Sequence, residues 1–485
     1  MMDLSMNNNQ LEESVKRARD KNIIIPTFAQ QRDPKLVSSS VLEELKEIGL
    51  WDVHPRNLFR ITWKNEPISK GGGFGDVNYI ELPPELTGVE ARIIALVGKF
   101  FPTGAHKVGA TFGCLVPRLV TGQFNPVVHK AVWPSTGNYC RGGAYDSALL
   151  ACESIAILPE EMSTERFEWL KSVAGEVIKT PGSESNVKEI FDKVWELRRT
   201  RDNIFVFNQF EEFGNYLWHY DVTGHAMKEV LDEIQGNCAV RGLNLTTGSA
   251  GTLGSGDFIK EAYPEAKLAA GEALQCPTML LNGYGAHTIE GIGDKHIPWI
   301  HNVKNTDMVI AIDDKDTQWI MRLFNEPEGH SLLRDIGVSE DLIGKLHLLG
   351  ISSIANLLMS IKMAKYYELT SNDVVLTVFT DSMELYQSRL QEMRVEYGPF
   401  TKENAIRSLY AHLRGQKIDS MLELNYLQKK RIHQLKYFTW VEQQGRSLEE
   451  LNKQWYSADY WKNIKGDVDK IDDLIVKFNE KVGIS

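Results

Sequence analysis

The sequence lacks the features that mark several classes of protein. It has only five cysteines among 485 residues, and none of them forms a Cys-x-x-Cys pair. Scattered cysteines of odd number argue against a disulfide framework and against a structural zinc site, so we expect no metal and a reducing, cytoplasmic location. There is no apolar run of about 18 residues and no apolar signal core in residues 1–10, so neither a membrane span nor a secretion signal is predicted.

Positive charge is not in excess either. The chain has 54 lysines and arginines against 65 aspartates and glutamates, a net charge of −11. This balance argues against nucleic acid or an acidic membrane surface as the main partner. Hydrophobic residues make up 42% and charged residues 25%, which is typical of a soluble globular protein. The length allows about two to four domains.

From residue 91 onward, apolar segments of strand length alternate with helical segments. The segments that we expect to form strands are 91–97, 204–207, 241–246, 308–312 and 374–379, and residues 149–158 are expected to be the end of a helix that runs into a further strand. Helical stretches separate most of them, including 223–234 and 354–367. Buried strands that alternate with helices predict a mainly parallel α/β sheet. Thr401 and Ser447 are placed to cap helices, so a helical extension is expected beyond about residue 400.

Four short motifs carry groups that could bind one ligand. The motifs are Lys99–Lys107, Ser135–Asn138, Thr247–Thr252 and Thr380–Ser382. The first offers an amine at the end of a strand, and the third is a small-residue turn before a helix, whose backbone N–H groups suit a phosphate. Each motif alone is compatible with an ordinary turn or a solvated side chain. Together, in this order, they predict a pocket for pyridoxal phosphate, with Lys107 as the amine.

The motifs also resemble those of a known family. The segment Lys99–Lys107 resembles the lysine segment of cysteine synthase and cystathionine β-synthase, and its Thr-Gly-Ala-His-Lys core resembles the tryptophan synthase β chain even more closely. Ser-Thr-Gly-Asn at 135–138 is similar to the substrate loop of the first two enzymes. Further similar runs lie at 248–252, 287–293 with 297–298, 350–353 and 380–386. The resemblance covers about residues 95–390 and implies a fold-type-II pyridoxal-phosphate enzyme.

The resemblance implies a role for each matching residue. Lys107 would be the catalytic residue, forming the Schiff base and moving the α-proton. Asn138 would contact the ring oxygen of the cofactor, and Ser382 would face the pyridine nitrogen. The phosphate would be bound by Gly248, Ser249, Ala250, Gly251 and Thr252. The substrate would be bound by Ser135, Thr136, Gly137, Tyr139, Arg141 and Gln209.

Two departures from the family pattern affect the predicted pocket. Tyr139, Cys140 and Arg141 follow the asparagine where the family usually has Thr-Gly. Tyr139 would narrow the pocket. Arg141 could pair with a second anionic group on the substrate, or it could form an ion pair with the protein itself. Ala250 replaces a glycine of the phosphate loop, and we expect little effect from that change.

The predicted fold is α/β, a two-domain fold-type-II enzyme that resembles the tryptophan synthase β chain. Residues 1–90 would form an N-terminal arm and the start of the large domain. Residues 91–119 and 236–390 would form the large cofactor-binding domain, and residues 120–235 a smaller mobile domain. Residues 391–485 would form a helical C-terminal extension.

The predicted activity is β-elimination or β-replacement on a small amino acid through an aminoacrylate intermediate. A serine hydroxyl at the ring nitrogen makes the ring a milder electron sink than an aspartate would, which favours loss of a β-substituent. The expected partners are the amino acid and a second small nucleophile, and the expected assembly is a homodimer. Two alternatives stay open: an amino-acid dehydratase or ammonia-lyase, and a non-catalytic binding subunit with this fold.

Overall fold

The computed structural model describes residues 2–135, 137–182, 186–234 and 238–484 of the chain. The strands within these ranges are β1 (Tyr79–Leu82), β2 (Arg92–Val97), β3 (Lys130–Pro134), β4 (Glu153–Pro159), β5 (Glu176–Thr180), β6 (Ile204–Val206), β7 (Ala239–Thr246), β8 (Lys267–Ala273), β9 (Met308–Ile312), β10 (Asp373–Phe379) and β11 (Met421–Glu423).

The helices in the first half of the described residues are α1 (Asn8–Asp20), α2 (Phe28–Arg32), α3 (Ser39–Leu45), α4 (Pro84–Thr87), α5 (Lys107–Val120), α6 (Asn138–Leu149), α7 (Thr164–Val173), α8 (Val187–Thr200), α9 (Phe213–Trp218) and α10 (Gly224–Glu233). Those in the second half are α11 (Leu253–Ala262), α12 (Thr278–Leu281), α13 (Asp314–Asn325), α14 (Pro327–Asp335), α15 (Glu340–Ile343), α16 (Ile351–Tyr366), α17 (Gln387–Tyr397), α18 (Lys402–Arg407), α19 (Tyr426–Lys436), α20 (Leu448–Tyr456), α21 (Tyr460–Lys465) and α22 (Asp467–Val482).

The strands form two sheets. The larger sheet has the order β1-β2-β10-β7-β8-β9-β11, and the smaller one has the order β5-β4-β3-β6. In the larger sheet β2, β10, β7, β8 and β9 are parallel, and the antiparallel strands β1 and β11 close its two edges. All pairs in the smaller sheet are parallel. The predicted α/β class with parallel sheets is confirmed.

Every predicted strand is present, and the structure adds five: β1, β3, β5, β8 and β11. Strand β10 is buried along its whole length, between β2 and β7. Because parallel strands share one direction, the loops that follow β2, β7 and β10 leave the sheet at the same edge. This edge is where open α/β sheets bind ligands.

Helix α5 packs closely against the segment that contains α9. A Cβ atom added to Gly109 would lie 2.1 Å from the Trp218 ring, and one added to Gly113 would lie 2.3 Å from the carbonyl oxygen of Gly214. Glycine at these two positions therefore allows α5 to approach α9, which fixes the position of the first residue of α5, Lys107.

The two ends of the chain pack on each other. The side chain of Asp472 in α22 accepts hydrogen bonds from the backbone N–H groups of Phe28 (2.6 Å) and Ala29 (3.0 Å). Asn479 exchanges two hydrogen bonds with the backbone of Ile25. The segment beyond residue 390 is not wholly helical, because β11 pairs with β9 and covers the edge of the large sheet.

Candidate active site

Lys107 lies at the carboxyl edge of the large sheet, immediately after a tight turn. Thr103 and Gly104 in that turn have φ values of +69° and +71°. The Lys107 side chain donates a hydrogen bond from Nζ to Oγ of Ser249 at 2.9 Å. Asn215 Nδ2 donates to the same hydroxyl at 3.0 Å. The amine that the sequence predicts as catalytic is therefore held at the loop that the sequence predicts for phosphate.

This loop, residues 247–252, connects β7 to α11. Within the described residues, the backbone N–H groups of Gly248 to Thr252 donate no hydrogen bond to another protein group. A Cβ atom on Gly248 would lie 2.7 Å from the carbonyl oxygen of Gly291, so a larger residue does not fit there. Ala250 has a φ of +64°, which is costly for a residue with a Cβ atom. These free N–H groups at the start of a helix suit a phosphate.

The turn at residues 135–138 connects β3 to α6. Ser135 Oγ accepts hydrogen bonds from Gln209 Nε2 and from the N–H of Gly137, both at 3.2 Å. Asn138 Nδ2 donates to Asp381 Oδ2 at 2.5 Å, and Asn138 Oδ1 is buried and has no hydrogen-bond partner among the described residues. Thr136, predicted to bind substrate, lies outside the described residues.

A chain of buried polar groups continues from Asp381. Tyr386 donates its hydroxyl proton to Asp381 Oδ2 at 2.7 Å, and Arg166 Nη2 donates to the Tyr386 hydroxyl at 2.8 Å. Arg166 Nη1 lies 2.6 Å from Oε2 of Glu290. Burial raises the pKa of Asp381 above its usual value, and the charge of Arg166 opposes that rise. These hydrogen-bonded polar groups connect α6 and α7, which lie next to the small sheet, with loops of the large sheet.

One cavity joins most of these groups. Its walls include Lys107, Ser135, Asn138, Tyr139, Gln209, Gly248, Ser249, Ala250 and Thr252 among the residues predicted from the sequence, together with His106, Asp294, Asn356 and Thr380. Four predicted residues do not line it: Gly137, Arg141, Gly251 and Ser382.

Two hydroxyl residues, Thr380 and Ser382, follow β10. Thr380 lines the cavity, whereas Ser382 is buried (1% exposed) and lies off the cavity wall. The reason is that β10 ends at Phe379, so the first residue beyond the strand is Thr380. The Thr380 hydroxyl is therefore a second candidate, beside that of Ser382, for the contact with a cofactor ring.

Asp294 is a wall residue that the sequence analysis missed. Its Oδ2 atom is buried without a hydrogen-bond partner among the described residues. Burial raises its pKa to about 7, and the positive charge of Lys107 opposes the rise. A carboxyl group with a pKa near neutrality beside a lysine can exchange a proton with it. The signal in the sequence was its position directly after the Gly291-Ile-Gly293 run.

Comparison with known proteins gives consistent results. Residues 83–333, just over half of the chain, match the family described as "Pyridoxal-phosphate dependent enzyme". A probable cysteine synthase of Bacillus subtilis is 27% identical over 299 residues, covering 61% of this chain and 89% of that protein. A cysteine synthase of Staphylococcus aureus is 30% identical over 258 residues, covering 53% and 75% of the two chains. A crystal structure of a hydrogen sulfide-producing enzyme from Fusobacterium nucleatum superimposes with a TM-score of 0.54 at 23% identity, covering 71% and 95% of the two chains.

The chain belongs to this family of pyridoxal-phosphate dependent enzymes. The predicted family, fold type and cofactor are confirmed. The residues present also fit the cofactor of the family. Within the part of the chain that the structure describes, the N–H groups of residues 248–252 and the side-chain oxygen of Asn138 have no partner, and Lys107 lines the same cavity. Over the described residues, no helix is long and apolar enough to cross a membrane, and no group of side chains is arranged to hold a metal ion.

Proposed function

We propose that this pyridoxal-phosphate enzyme catalyses β-elimination or β-replacement on a small amino acid. The single observation that carries the proposal is the cavity in which Lys107 lies between the 247–252 loop and the turn at 135–138. The curated relatives named as cysteine synthases support the reaction class. When bound, pyridoxal phosphate withdraws electrons from the α-carbon of an amino acid, so that the α-proton becomes acidic and a β-substituent can leave.

The position of each side chain in the cavity suits it to a different step of this reaction. Lys107 Nζ would accept and return the α-proton, because it is the amine in the cavity wall. The N–H groups of residues 248–252 would hold a phosphate, and Asn138 would fix the orientation of a ring substituent beside it. Ser135 and Gln209, already hydrogen-bonded to each other, would bind the α-carboxylate of the substrate.

Thr380 would present its hydroxyl to the ring nitrogen. A hydroxyl does not force that nitrogen to stay protonated, so it favours loss of a β-group over transamination. Asp294 is placed to supply or remove a second proton, for the leaving group or the incoming nucleophile, because it shares the cavity with Lys107. The incoming nucleophile is part of this proposal, and the product of the reaction would reveal its identity.

The assembly and the location complete the proposal. We place the enzyme in the cytoplasm, as a homodimer, with residues 120–235 as a smaller mobile domain against a body formed by residues 91–119 and 236–390. Arg166, Glu290 and the Asn138–Asp381 contact link these two parts. Closure of the smaller part would exclude water from the cavity.

The first test replaces Lys107 with alanine. Lys107→Ala should abolish turnover of β-substituted amino acids, and borohydride treatment should no longer attach the cofactor to the peptide that contains residue 107, as mass spectrometry would measure. Lys188→Ala, on the exposed face of α8, is the matched control and should behave as the native enzyme. Native turnover in Lys107→Ala would overturn the assignment of the catalytic lysine.

The product distinguishes the remaining candidates. Release of ammonia and a 2-oxo acid without an added nucleophile would identify elimination, and the β-group that is lost would separate a dehydratase, which releases water from serine or threonine, from an enzyme that expels another group. A new β-substituted amino acid would identify replacement. Cofactor binding with no product from any β-substituted amino acid would identify a binding subunit. The presence of Lys107, Asn138 and residues of the 247–252 loop around one cavity favours an enzyme over a binding subunit.

A further inference from the structure

Arg141 carries a positive charge that no carboxylate among the described residues neutralises at close range. The side chain is 2% exposed, and its Nε and Nη1 atoms have no hydrogen-bond partner among the described residues. Among the described residues, no carboxylate oxygen lies within 4.0 Å of a nitrogen of the Arg141 guanidinium. Asp381 and Tyr386 act on it only at longer range, and burial together with the charge of Arg166 lowers its pKa to about 10. Arg141 is therefore still charged near neutral pH.

A buried charge without a partner is unfavourable, and a buried polar group without a hydrogen bond calls for an explanation. Arg166, its neighbour, shows the usual solution, because its Nη1 atom is paired with Glu290 and its Nη2 atom donates to the Tyr386 hydroxyl. Arg141 contacts two indole rings instead: its guanidinium carbon lies 4.6 Å from the ring centre of Trp169 and 5.7 Å from that of Trp51. Aromatic faces attract a cation, but they do not satisfy its N–H donors.

Arg141 is close to the predicted substrate turn. It lies in the first turn of α6, three residues after Asn138, so the two side chains share one side of that helix. Arg166 presses on the same turn, since a Cβ atom on Gly137 would lie 2.3 Å from its Nη1 atom. The positive end of α6 adds to the two guanidinium charges. Because Glu290 is paired with Arg166 and Asp381 lies against Asn138, the positive side chain left for a second anion near this turn is Arg141.

Two further polar residues, Lys99 and Thr103, lie in the segment between β2 and Lys107. Lys99 Nζ is 5.7 Å from the Trp51 ring that also contacts Arg141, and burial together with the charge of Arg141 lowers the pKa of Lys99 to about 8. Thr103 Oγ1 is buried without a partner in the turn that precedes Lys107. Lys99 is paired with Glu384, so Arg141 is the member of this group whose charge is unmatched.

We propose that Arg141 binds a second anionic group, a carboxylate, phosphate or sulfonate, on the side chain of the amino-acid substrate. The inference rests on the proposed function, and it makes Arg141 the residue that selects acidic over neutral substrates. A guanidinium with free N–H groups forms paired hydrogen bonds with such oxyanions. Arg141 lies behind the cavity wall, one helical turn beyond Asn138, so the proposal requires the acidic side chain of the substrate to pass Asn138 and reach the guanidinium.

The test compares ligands that differ only in charge. L-Aspartate and L-asparagine are matched in size, so their dissociation constants from the holoenzyme, measured by calorimetry, isolate the effect of the side-chain anion. The native enzyme should prefer aspartate. In Arg141→Met that preference should fall by about 30-fold or more, the usual cost of removing one partner of a buried ion pair. Arg141→Lys should keep part of it.

Stability and turnover give independent measurements. Without ligand, Arg141→Met should be as stable as the native holoenzyme or more stable, because a buried unpaired charge is removed. Aspartate should raise the melting temperature of the native protein and not that of the variant. Turnover of O-phospho-L-serine should fall more than that of O-acetyl-L-serine. Arg198→Gln, which removes an exposed arginine that contacts Trp195, is the control and should change none of these values.

The outcomes separate the two proposals. An equal affinity for aspartate and asparagine, or a preference that survives in Arg141→Met, would overturn the role of Arg141. Sulfate binding that depends on Arg141 without any preference between the amino acids would assign the residue to a free inorganic anion and would also overturn it. If no β-substituted amino acid, acidic or neutral, is turned over, the proposed function fails, whereas the binding preference is measured independently of turnover.

Discussion

Two hydroxyl residues follow β10, and only Thr380 reaches the cavity. We predict that Thr380→Val weakens binding of pyridoxal phosphate by about 5- to 10-fold, the value of one hydrogen bond of about 1–1.4 kcal/mol. Ser382→Ala, the matched change two residues away, should leave the affinity close to native. Fluorescence titration of the cofactor-free protein measures both. The reverse ranking would return the ring contact to Ser382.

Asp294 should make stability depend on pH. Its pKa is about 7 in the folded protein, whereas an aspartate in an unfolded chain has a pKa of about 3.9. Between these values the folded state holds a proton that the unfolded state has lost. The contribution of Asp294 is therefore fully present below about pH 4 and is lost as the pH rises through about 7.

Asp294→Asn should remove this dependence, because an amide does not titrate. Urea unfolding of the cofactor-free protein between pH 5 and 8 should show a native free energy of unfolding that falls more steeply with rising pH than that of the variant. Glu272, whose pKa burial also raises to about 7, is present in both proteins and cancels in the difference. Parallel curves for the two proteins would mean that Asp294 is ionised throughout this range.

At the scale of elements, the loop between β7 and α11 decides cofactor affinity. Gly248→Ala should weaken binding of pyridoxal phosphate at least about tenfold, because the new methyl group would lie 2.7 Å from the Gly291 carbonyl and would displace the loop. Ala250→Gly in the same loop is the control, since glycine adopts a φ of +64° without strain. Native affinity in Gly248→Ala would show that the loop can shift without loss.

The element scale also shows what sequence patterns miss. Strand β8 has the sequence Lys-Leu-Ala-Ala-Gly-Glu-Ala, whose small residues have low strand propensity. It is nevertheless a central strand, because β7 and β9 pair with it on both sides. Its Gly271 lets α16 approach closely, since a Cβ atom there would lie 2.2 Å from Met359 Sδ. Long-range pairing, which overrides local propensity, was not readable from this segment.

At the scale of the whole molecule, the two ends of the chain stabilise each other. Asp472→Ala would remove the acceptor for two backbone N–H groups at the start of α2, and we expect a loss of about 1–2 kcal/mol in the free energy of unfolding. Asp473→Ala, a change at the exposed neighbouring residue, should cost little. Urea unfolding of both variants measures the difference. Equal stability would show that α22 does not hold the N-terminal segment.

The sequence by itself determined the order of the chemical groups along the chain. Each predicted group stands just beyond an apolar strand or at the start of a helix, as Lys107, Asn138 and the 247–252 loop do. A short motif at such a place is a local property, so it can be read from neighbouring residues. The parallel α/β class followed in the same way, from the alternation of strands and helices. The cofactor and the family followed from the motifs in combination.

The tertiary structure decided the contacts between distant residues. Thr380 lines the cavity and Ser382 does not, and Asp294 lies in the same cavity as Lys107. Among the described residues, Arg166 is paired with Glu290, whereas Arg141 has no carboxylate partner. Each of these outcomes depends on distances across the fold between residues far apart in sequence. Burial and charge pairing arise only when the sheets and helices pack, and for that physical reason no local pattern could predict them.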